Sequence, residues 1–217
     1  EVPCIGFPYV NSDVSEATKW RSTADKNFTQ SGAARSLWRI EDWVKGDLII
    51  CEGELDAASF VEIGIPATSV PNGAPTPGPE LVTEMTELLD RDHSIKKYEY
   101  LWDCSDKIDS SDRIIIAGDI DKQGKSLSGE IARRMGKARC WVLSYPDGCK
   151  DANDVLVKHG PEALRKCLDD ATPWPVKGLR SVNEYRESVM DLLVNGFDRG
   201  KRTGVADLDN IYMACPQ

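Results

Sequence analysis

Residues 47–56 read DLIICEGELD and residues 113–124 read RIIIAGDIDKQG, and these two stretches decide the fold. In each, one charged residue is followed by a short apolar run, typical of a buried parallel strand, and then by closely spaced carboxylates. Ligands of an open parallel sheet bind beyond the carboxyl ends of its strands. We therefore predict an α/β fold in which both acidic clusters lie at one edge of a parallel sheet.

The segments around these two stretches alternate between extended and helical patterns. Strands are predicted at 47–51, 67–70, 113–117 and 138–143, and helices at 56–63, 80–89, 126–135 and 161–168. Gly64 and Gly136 directly follow two of these helices, where glycine commonly ends a helix. Strands that alternate with helices indicate a parallel sheet with flanking helices.

The sequence pattern divides the chain into three segments. Residues 1–45 are predicted to form a small β-rich subdomain, residues 46–172 the α/β domain, and residues 173–217 a linker followed by a helix. Short strands in the first segment are predicted at 5–10, 19–22 and 27–30. Residues 171–178 contain two prolines and a glycine, which is typical of a linker.

A helix is predicted over residues 181–195, after the linker. Ser181 and Glu184 fit a capping box at its start, and Gly196 is positioned to end it. Its apolar residues share one face, so we expect that face to pack against a partner. The chain stops at Gln217 soon after another element begins, so we expect a fragment of a larger protein.

Composition narrows the class of protein. The chain has 217 residues, of which 41% are hydrophobic and 29% charged, as in soluble globular proteins. No apolar run approaches the roughly 20 residues of a membrane-spanning helix, which excludes an integral membrane protein. The net charge of −9 argues against a purely electrostatic nucleic-acid binder. It is compatible with a polymerase or nuclease, because such enzymes use clustered carboxylates to hold divalent cations.

Seven cysteines are scattered along the chain without a C-x-x-C pair. This spacing argues against a zinc ribbon and against a dithiol redox motif. We expect buried, reduced thiols.

Two carboxylates are expected to converge where the strand at 113–117 ends. Asp119 and Asp121 are two positions apart, so both can face one point, and Glu52 joins them if the two strands are neighbours. Converging carboxylates repel one another unless a cation such as Mg²⁺ or Mn²⁺ neutralises them. Such an ion commonly completes its shell with substrate phosphate, which favours phosphoryl or nucleotidyl transfer. An isolated Asp-x-Asp pair is also commonly solvated or used as a helix cap, and the residues alone leave this alternative open.

Residues 118–126, GDIDKQGKS, partly match a phosphate-binding loop. That motif requires four residues between its first glycine and Gly-Lys-Ser, and five stand here. Two aspartates would also occupy positions that should cradle phosphate oxygens. We reject this interpretation.

Several motifs resemble a known family. Residues 52–57 (EGELDA), 69–74 (SVPNGA) and 119–124 (DIDKQG) resemble the TOPRIM fold, which is shared by bacterial-type primases, topoisomerases and some nucleases. Residues 150–156 (KDANDVL) are similar to the primases, especially the primase-helicases of phages and their mitochondrial relatives. The motifs KWR at 19–21, KNF at 26–28 and SLW at 36–38 resemble the small basic subdomain that precedes TOPRIM in those proteins. The motif RTGVADLDNIY at 202–212 resembles the lead-in to a ring helicase domain.

The resemblance implies an activity and roles for named residues. The activity would be RNA primer synthesis on single-stranded DNA from ribonucleoside triphosphates, with Mg²⁺ or Mn²⁺ as cofactor. Glu52 would lie nearest the 3′-hydroxyl as metal ligand or base, and Asp119 and Asp121 would bind the metal ions. Asp56 and Asp151 would support the site.

The resemblance also implies partners and a location. Lys19, Arg21 and Lys26 would contact the incoming triphosphate or the template, although a solvated surface role stays open for each. Residues 1–45 would be the small N-terminal primase subdomain, 46–172 the TOPRIM domain, and 173–217 the linker helix and the start of a helicase domain. We expect this chain to be monomeric and the longer protein to form a hexameric ring. The location would be the host cytoplasm for a phage protein or the mitochondrial matrix for an organellar one.

Two other functions compete with primer synthesis. A TOPRIM nuclease would keep the same carboxylates and hydrolyse its substrate. A catalytically silent scaffold of a ring helicase is the second alternative, although Glu52, Asp119 and Asp121 argue against it. A topoisomerase is excluded, because its tyrosine nucleophile would require a further domain that this chain is too short to carry.

Overall fold

The structure is a computed structural model. It describes residues 2–11, 14–25, 27–73, 98–178, 182–196, 204–205 and 207. The chain forms two compact units, Glu1–Pro175 and Val176–Gln217, and each is described by itself. The predicted division at residues 45 and 172 stays a prediction.

The first unit opens with a three-stranded antiparallel sheet. Its strands are β1 (Cys4–Asn11), β2 (Val14–Ser22) and β3 (Phe28–Gly32), with β2 in the middle. Phe7 pairs with Lys19, and Arg21 pairs with Phe28. Phe7, Tyr9 and Ala17 are buried. Because side chains alternate along a strand, Lys19 and Arg21 share a face with Ala17.

A five-stranded sheet forms the centre of the first unit. Its strands are β4 (Leu48–Cys51), β5 (Thr68–Ser69), β6 (Ile114–Ala117), β7 (Cys140–Val142) and β8 (Thr172–Pro173). The strand order is β5-β4-β6-β7-β8, and every pair is parallel except β7 with β8. Strands β4 and β6 are neighbours, with Cys51 opposite Ala117. Glu52 and the acidic loop after β6 therefore leave the sheet at the same edge.

Helices flank this sheet. In the described residues of the first unit they are α1 (Glu54–Glu62), α2 (Glu99–Asp103), α3 (Ser105–Ser110), α4 (Lys122–Met135), α5 (Ala152–His159) and α6 (Pro161–Asp169). Two apolar clusters cover the sheet, one containing Ile49 and Ile115, the other Ile50 and Ile116. The predicted α/β class, a parallel sheet with flanking helices and a preceding β-rich subdomain, is confirmed.

Some predicted helix limits were wrong. Helix α4 begins at Lys122, not at residue 126, because Asp121 caps it through a 2.8 Å bond from the Gly124 N–H to its Oδ1 atom. Helix α5 was not predicted, since it is only eight residues long and buries only Ala152 and Val155. The helix predicted at 80–89 lies outside the described residues.

The cysteines follow the prediction with one exception. Buried free thiols are found at Cys51, Cys104, Cys140, Cys149 and Cys167. Cys4 is exposed, because its strand position faces away from the core. Cys215 lies outside the described residues.

The second unit contains one short 3-10 helix, Val182–Tyr185, and helix α7 (Arg186–Asn195), counting only its described positions. The prediction of a single helix from residue 181 was therefore wrong in its first turn, while Gly196 does end the helix. Ser181, the predicted cap, lies outside the described residues. No helix in the described part of either unit is long and apolar enough to cross a membrane.

Candidate functional site

A cleft of about 740 Å³ lies in the first unit, at the edge where β4 and β6 end. Its acidic lining comes from Glu52, Glu54, Asp56, Asp119, Asp151 and Asp154, and its basic lining from Lys19, Arg21 and Lys150. Phe28, Asn72, Gln123 and Asn153 also line it. The structure thus brings together Glu52, Asp56, Asp119 and Asp151, four of the five predicted catalytic carboxylates.

Asp56 is buried in the first turn of α1, at 9% exposure. Its Oδ1 atom accepts a 3.1 Å hydrogen bond from the backbone N–H of Asn153, whose side-chain amide donates to Ser59 Oγ at 3.1 Å. Burial and the neighbouring Asp151 carboxylate raise the pKa of Asp56 to about 7. Asp56 therefore joins α1 to α5 and contributes to a strongly negative environment.

Asp119 lies two residues beyond β6 and faces the same environment. Burial, followed by the Glu52, Asp56 and Asp151 carboxylates, raises the pKa of Asp119 to about 7. Repulsion of this kind acts between carboxylates that lie close in space, and all four of these carboxylates line the same cleft. The expected convergence of Glu52 with Asp119 is what the geometry shows.

Asp151 is the N-cap of α5. Its Oδ1 atom accepts a 2.7 Å hydrogen bond from the Asp154 N–H, and its Oδ2 atom pairs with Lys150 Nζ at 2.9 Å. The hydrogen bond to Asp151 raises the pKa of Lys150. Lys150, which had no predicted role, partly offsets the negative charge of the cleft.

Asp121 differs from the other predicted carboxylates. Its side chain caps α4 by accepting from the Gly124 N–H, and it is not among the residues that line the cleft. The alternative of a helix cap, which the sequence left open for an Asp-x-Asp pair, thus applies to Asp121 and not to Asp119. A metal-binding role for Asp121 stays a prediction.

The N-terminal sheet supplies a basic wall opposite the carboxylates. Lys19 and Arg21, both on β2, line the cleft together with Phe28 on β3. The Lys19 ammonium lies 5.1 Å from the centre of the Phe28 ring, and the Arg21 guanidinium lies 5.7 Å from it. Lys26, the third predicted cation, lies outside the described residues.

Glu54 was missed as a functional residue. It is 4% exposed, and its Oε1 atom accepts from Tyr9 Oη at 2.6 Å and from Lys19 Nζ at 2.8 Å. The signal was present in the EGE sequence at 52–54, but the position of Lys19 opposite Glu54 depends on packing of the two sheets. Asn153 was missed for the same reason, since its contact with Asp56 joins residues 97 positions apart.

The donor set fits a hard divalent cation. Carboxylate oxygens are the ligands that Mg²⁺ and Mn²⁺ prefer, and the raised pKa values of Asp56 and Asp119 indicate negative charge that a cation would neutralise. Within the described ranges, no group of three or more His, Cys, Asp or Glu side chains is close enough to form a ready-made metal site. Glu52 and Asp119 are the cleft carboxylates best suited to hold an ion, because both follow adjacent strands of the sheet.

The fold and this acidic edge together define a Toprim-type α/β domain, a class in which divalent-metal binding is general. Residues 49–156 match the family described as Toprim-like, so the chain carries a Toprim-like domain.

The chain is homologous to plant and phage proteins. It is 35% identical to the Twinkle homolog protein, chloroplastic/mitochondrial, of Arabidopsis thaliana over 98% of this chain and 30% of the relative. It is 33% identical to the primase homolog protein of the same plant over 80% of this chain and 52% of the relative. The DNA helicase/primase of Enterobacteria phage T3 is 26% identical over 79% of this chain and 27% of the relative. The chain thus spans between about a third and a half of the two plant relatives.

Solved structures share the fold. The primase fragment of the bacteriophage T7 primase-helicase superposes with a TM-score of 0.60 at 20% identity, covering 77% of this chain and 63% of that one. The DnaG primase catalytic domain bound to single-stranded DNA superposes with a TM-score of 0.55 at 15% identity, covering 96% of this chain and 61% of that one. These likenesses establish a primase-like fold.

Proposed function

We propose that this chain is the primase core of a bifunctional primase-helicase, a nucleotidyltransferase that synthesises RNA primers on a DNA template. The observation that carries the proposal is the cleft itself, in which Glu52, Asp56, Asp119 and Asp151 face Lys19 and Arg21. Carboxylates suit the metal ions of nucleotidyl transfer, and cations suit the phosphates of a nucleotide. A cleft with an acidic wall, formed by the four carboxylates, and a basic wall, formed by Lys19 and Arg21, is suited to a phosphate-bearing substrate.

The acidic wall would organise the reacting groups. Glu52 would act beside the primer 3′-hydroxyl as metal ligand or base, and Asp119 and Asp121 would hold the metal ions. Asp56 and Asp151 would support them from α1 and the start of α5. Bound Mg²⁺ or Mn²⁺ would supply activation of the hydroxyl and neutralisation of triphosphate charge.

The basic wall would bind the substrate. Lys19 and Arg21 line the cleft from β2, and we propose the same role for Lys26. Their charges would attract the triphosphate of the incoming ribonucleotide or the phosphates of the single-stranded DNA template. Lys19 is the cation most firmly held, since its side chain is 16% exposed and paired with Glu54.

The partners follow from the relatives. The phage T3 relative is a DNA helicase/primase, and this chain covers 27% of it. We propose that the longer protein carries a helicase domain and assembles as a hexameric ring, whereas the present chain is monomeric. Its location would be the cytoplasm of the host for a phage protein and the mitochondrial matrix for an organellar one. The higher identity to the chloroplastic/mitochondrial relative supports an organellar location.

Primer synthesis is the direct test. The chain, mixed-sequence single-stranded DNA, labelled ribonucleotides and Mg²⁺ or Mn²⁺ should yield short RNA products. Asp119→Asn should abolish them, because it removes a cleft carboxylate with little change in size. Asp170→Asn is the matched control, since Asp170 is exposed and paired with Lys166 outside the cleft.

Extension of a supplied primer separates the remaining outcomes. Extension without initiation would still support a primase core, because elongation uses the same cleft. Degraded template that Asp119→Asn protects would indicate the nuclease instead. Absence of synthesis, extension and degradation in the folded chain would contradict the proposal and favour the silent scaffold.

A further inference from the structure

Glu54 differs from Asp151 and Asp154, the other cleft carboxylates with a lysine partner, because both of its donors lie on the N-terminal sheet. Its Oε1 atom lies 2.8 Å from Lys19 Nζ and 2.6 Å from Tyr9 Oη, and its side chain is 5% exposed. Burial and the Glu54 carboxylate raise the pKa of Tyr9, so the tyrosine stays protonated and donates this bond. Glu54 is therefore engaged by two donors before any ligand arrives.

Both donors come from the N-terminal sheet, whereas Glu54 begins α1. The contacts join positions 35 and 45 residues apart in sequence. They fix β1 and β2 against the edge of the central sheet where Glu52 and Asp119 emerge. The buried Glu54 carboxylate thus helps to place the basic wall over the acidic edge, together with the apolar cluster that includes Phe7 and Ala17.

Lys19 gains a defined position from this pairing. A lysine side chain is flexible and loses its entropy when it binds a ligand, so a lysine that is already fixed binds phosphate at lower cost. The Lys19 ammonium also contacts the Phe28 ring, which restricts the movement of the lysine side chain from a second side.

We propose that Glu54 is a positioning residue that acts through Lys19, holding its ammonium toward the phosphates of a bound nucleoside triphosphate. Glu54 itself does not coordinate the metal and does not touch the substrate. This inference rests on the proposed function for the identity of the ligand. The two glutamates of the EGE motif then have different roles: Glu52 would act at the metal, and Glu54 would position Lys19 of the basic wall.

A double-mutant cycle on the full 217-residue chain tests the coupling. We expect Glu54→Gln and Lys19→Ala each to raise the KM for ATP and GTP in primer extension between about tenfold and a hundredfold, as small displacements of binding groups do. The double variant should be no worse than Lys19→Ala, because Glu54 acts through that lysine. The Mg²⁺ concentration for half-maximal activity should change less than twofold in Glu54→Gln. Additive losses, or a Mg²⁺ requirement raised fivefold, would overturn the proposal.

A chemical readout separates this proposal from the primase assignment. Acylation of lysines by a succinimidyl ester, followed by mass spectrometry, requires no activity. Lys19 should react at least fivefold faster in Glu54→Gln than in the wild type, because the ion pair shields its ammonium. Lys166 is the internal reference, since it is exposed and paired only at the surface, so its rate should not change. Equal Lys19 rates in both proteins would refute the positioning role, even if primer synthesis were never observed.

Tyr9→Phe is the matched control for folding. It removes the other donor to Glu54 and leaves the Lys19 pair in place. We expect a lower melting temperature with the KM for ATP within twofold of the wild type. A KM raised as far as in Glu54→Gln would mean that general loosening of the two sheets, not the position of Lys19, sets nucleotide affinity.

Discussion

The position of Asp119 requires a glycine at residue 124. Gly124 is buried in α4, and a Cβ atom built on it would lie 2.3 Å from the Asp119 carbonyl oxygen and 2.7 Å from the Asp119 Cβ. Backbone atoms cannot yield as a flexible side chain can, so any larger residue must displace Asp119 or the helix. The close approach of α4 to the loop after β6 explains the glycine of the DIDKQG motif at 119–124.

Gly124→Ala should therefore reduce primer synthesis by at least tenfold and lower stability by roughly 1–3 kcal/mol, the usual cost of overpacking. Extension assays and chemical denaturation measure the two effects. Gly129→Ala, in the same helix, is the control, because nothing lies within 4 Å of the added Cβ. That variant should keep its activity and gain about 0.5–1 kcal/mol from the better helix propensity of alanine. Equal effects at both positions would show that helix propensity alone is at work.

Asp56 should make the metal-free protein less stable as the pH rises. Its pKa is raised from 3.8 to about 7, so the folded chain binds the proton more tightly than the unfolded chain. The contribution of Asp56 to the free energy of unfolding is fully present below about pH 4 and is lost as the pH rises through 7. Each pKa unit corresponds to about 1.4 kcal/mol, so the total loss is a few kcal/mol at most.

Asp56→Asn should then unfold at higher temperature than the wild type at pH 8 in a chelating buffer, and the difference should vanish near pH 4. Melting curves across this range provide the measurement. Asp170→Asn, at an exposed surface pair, should follow the wild-type curve. A wild-type stability that rises from pH 4 to pH 8 with no effect of Asp56→Asn would contradict the argument.

At the scale of elements, the sequence predicts those strands and helices that have a clear apolar pattern. Strands β4 and β6 are continuous apolar runs, and all four residues of each are buried. Helix α5 has no such pattern and is set by a cap at Asp151 and by the contact of Asn153 with Asp56. The cap is local to residues 151–154, whereas the contact with Asp56 is tertiary and leaves no periodic signal, so the part of α5 in the site could not be predicted from a pattern.

Asp121 can be assigned by separating its role as a helix cap from its predicted role as a metal ligand. Asp121→Ala should lower stability by about 1 kcal/mol, because the first turn of α4 loses its cap. Asp121→Asn should restore stability, since asparagine is an equally good cap, and denaturant unfolding measures both. If Asp121 also binds metal, primer synthesis should stay lost in Asp121→Asn. Full activity in Asp121→Asn would restrict the residue to capping.

At the scale of the whole molecule, the site is assembled from two sheets. The acidic residues after the two apolar strands predicted the positions of Glu52 and Asp119, whereas Asp56 and Asp151 were expected only from the resemblance to the family. The hydrogen bonds from Tyr9 and Lys19 to Glu54 could not be predicted, since they form only when the N-terminal sheet packs against α1. Both walls nevertheless belong to the first compact unit, Glu1–Pro175.

A chain shortened after Pro175 should therefore keep the cleft, because every lining residue that the structure describes lies before that position. An ion that binds only the folded state stabilises it by mass action, by about 2.7 kcal/mol at a concentration 100 times its Kd. We expect Mg²⁺ or Mn²⁺ to raise the melting temperature of the full and the shortened chain equally. Glu52→Gln combined with Asp119→Asn should remove this rise in both, whereas Asp170→Asn should preserve it. A metal-dependent rise confined to the full chain would place part of the metal site in Val176–Gln217, and the carboxylates at the ends of β4 and β6 would then not suffice to bind the ion.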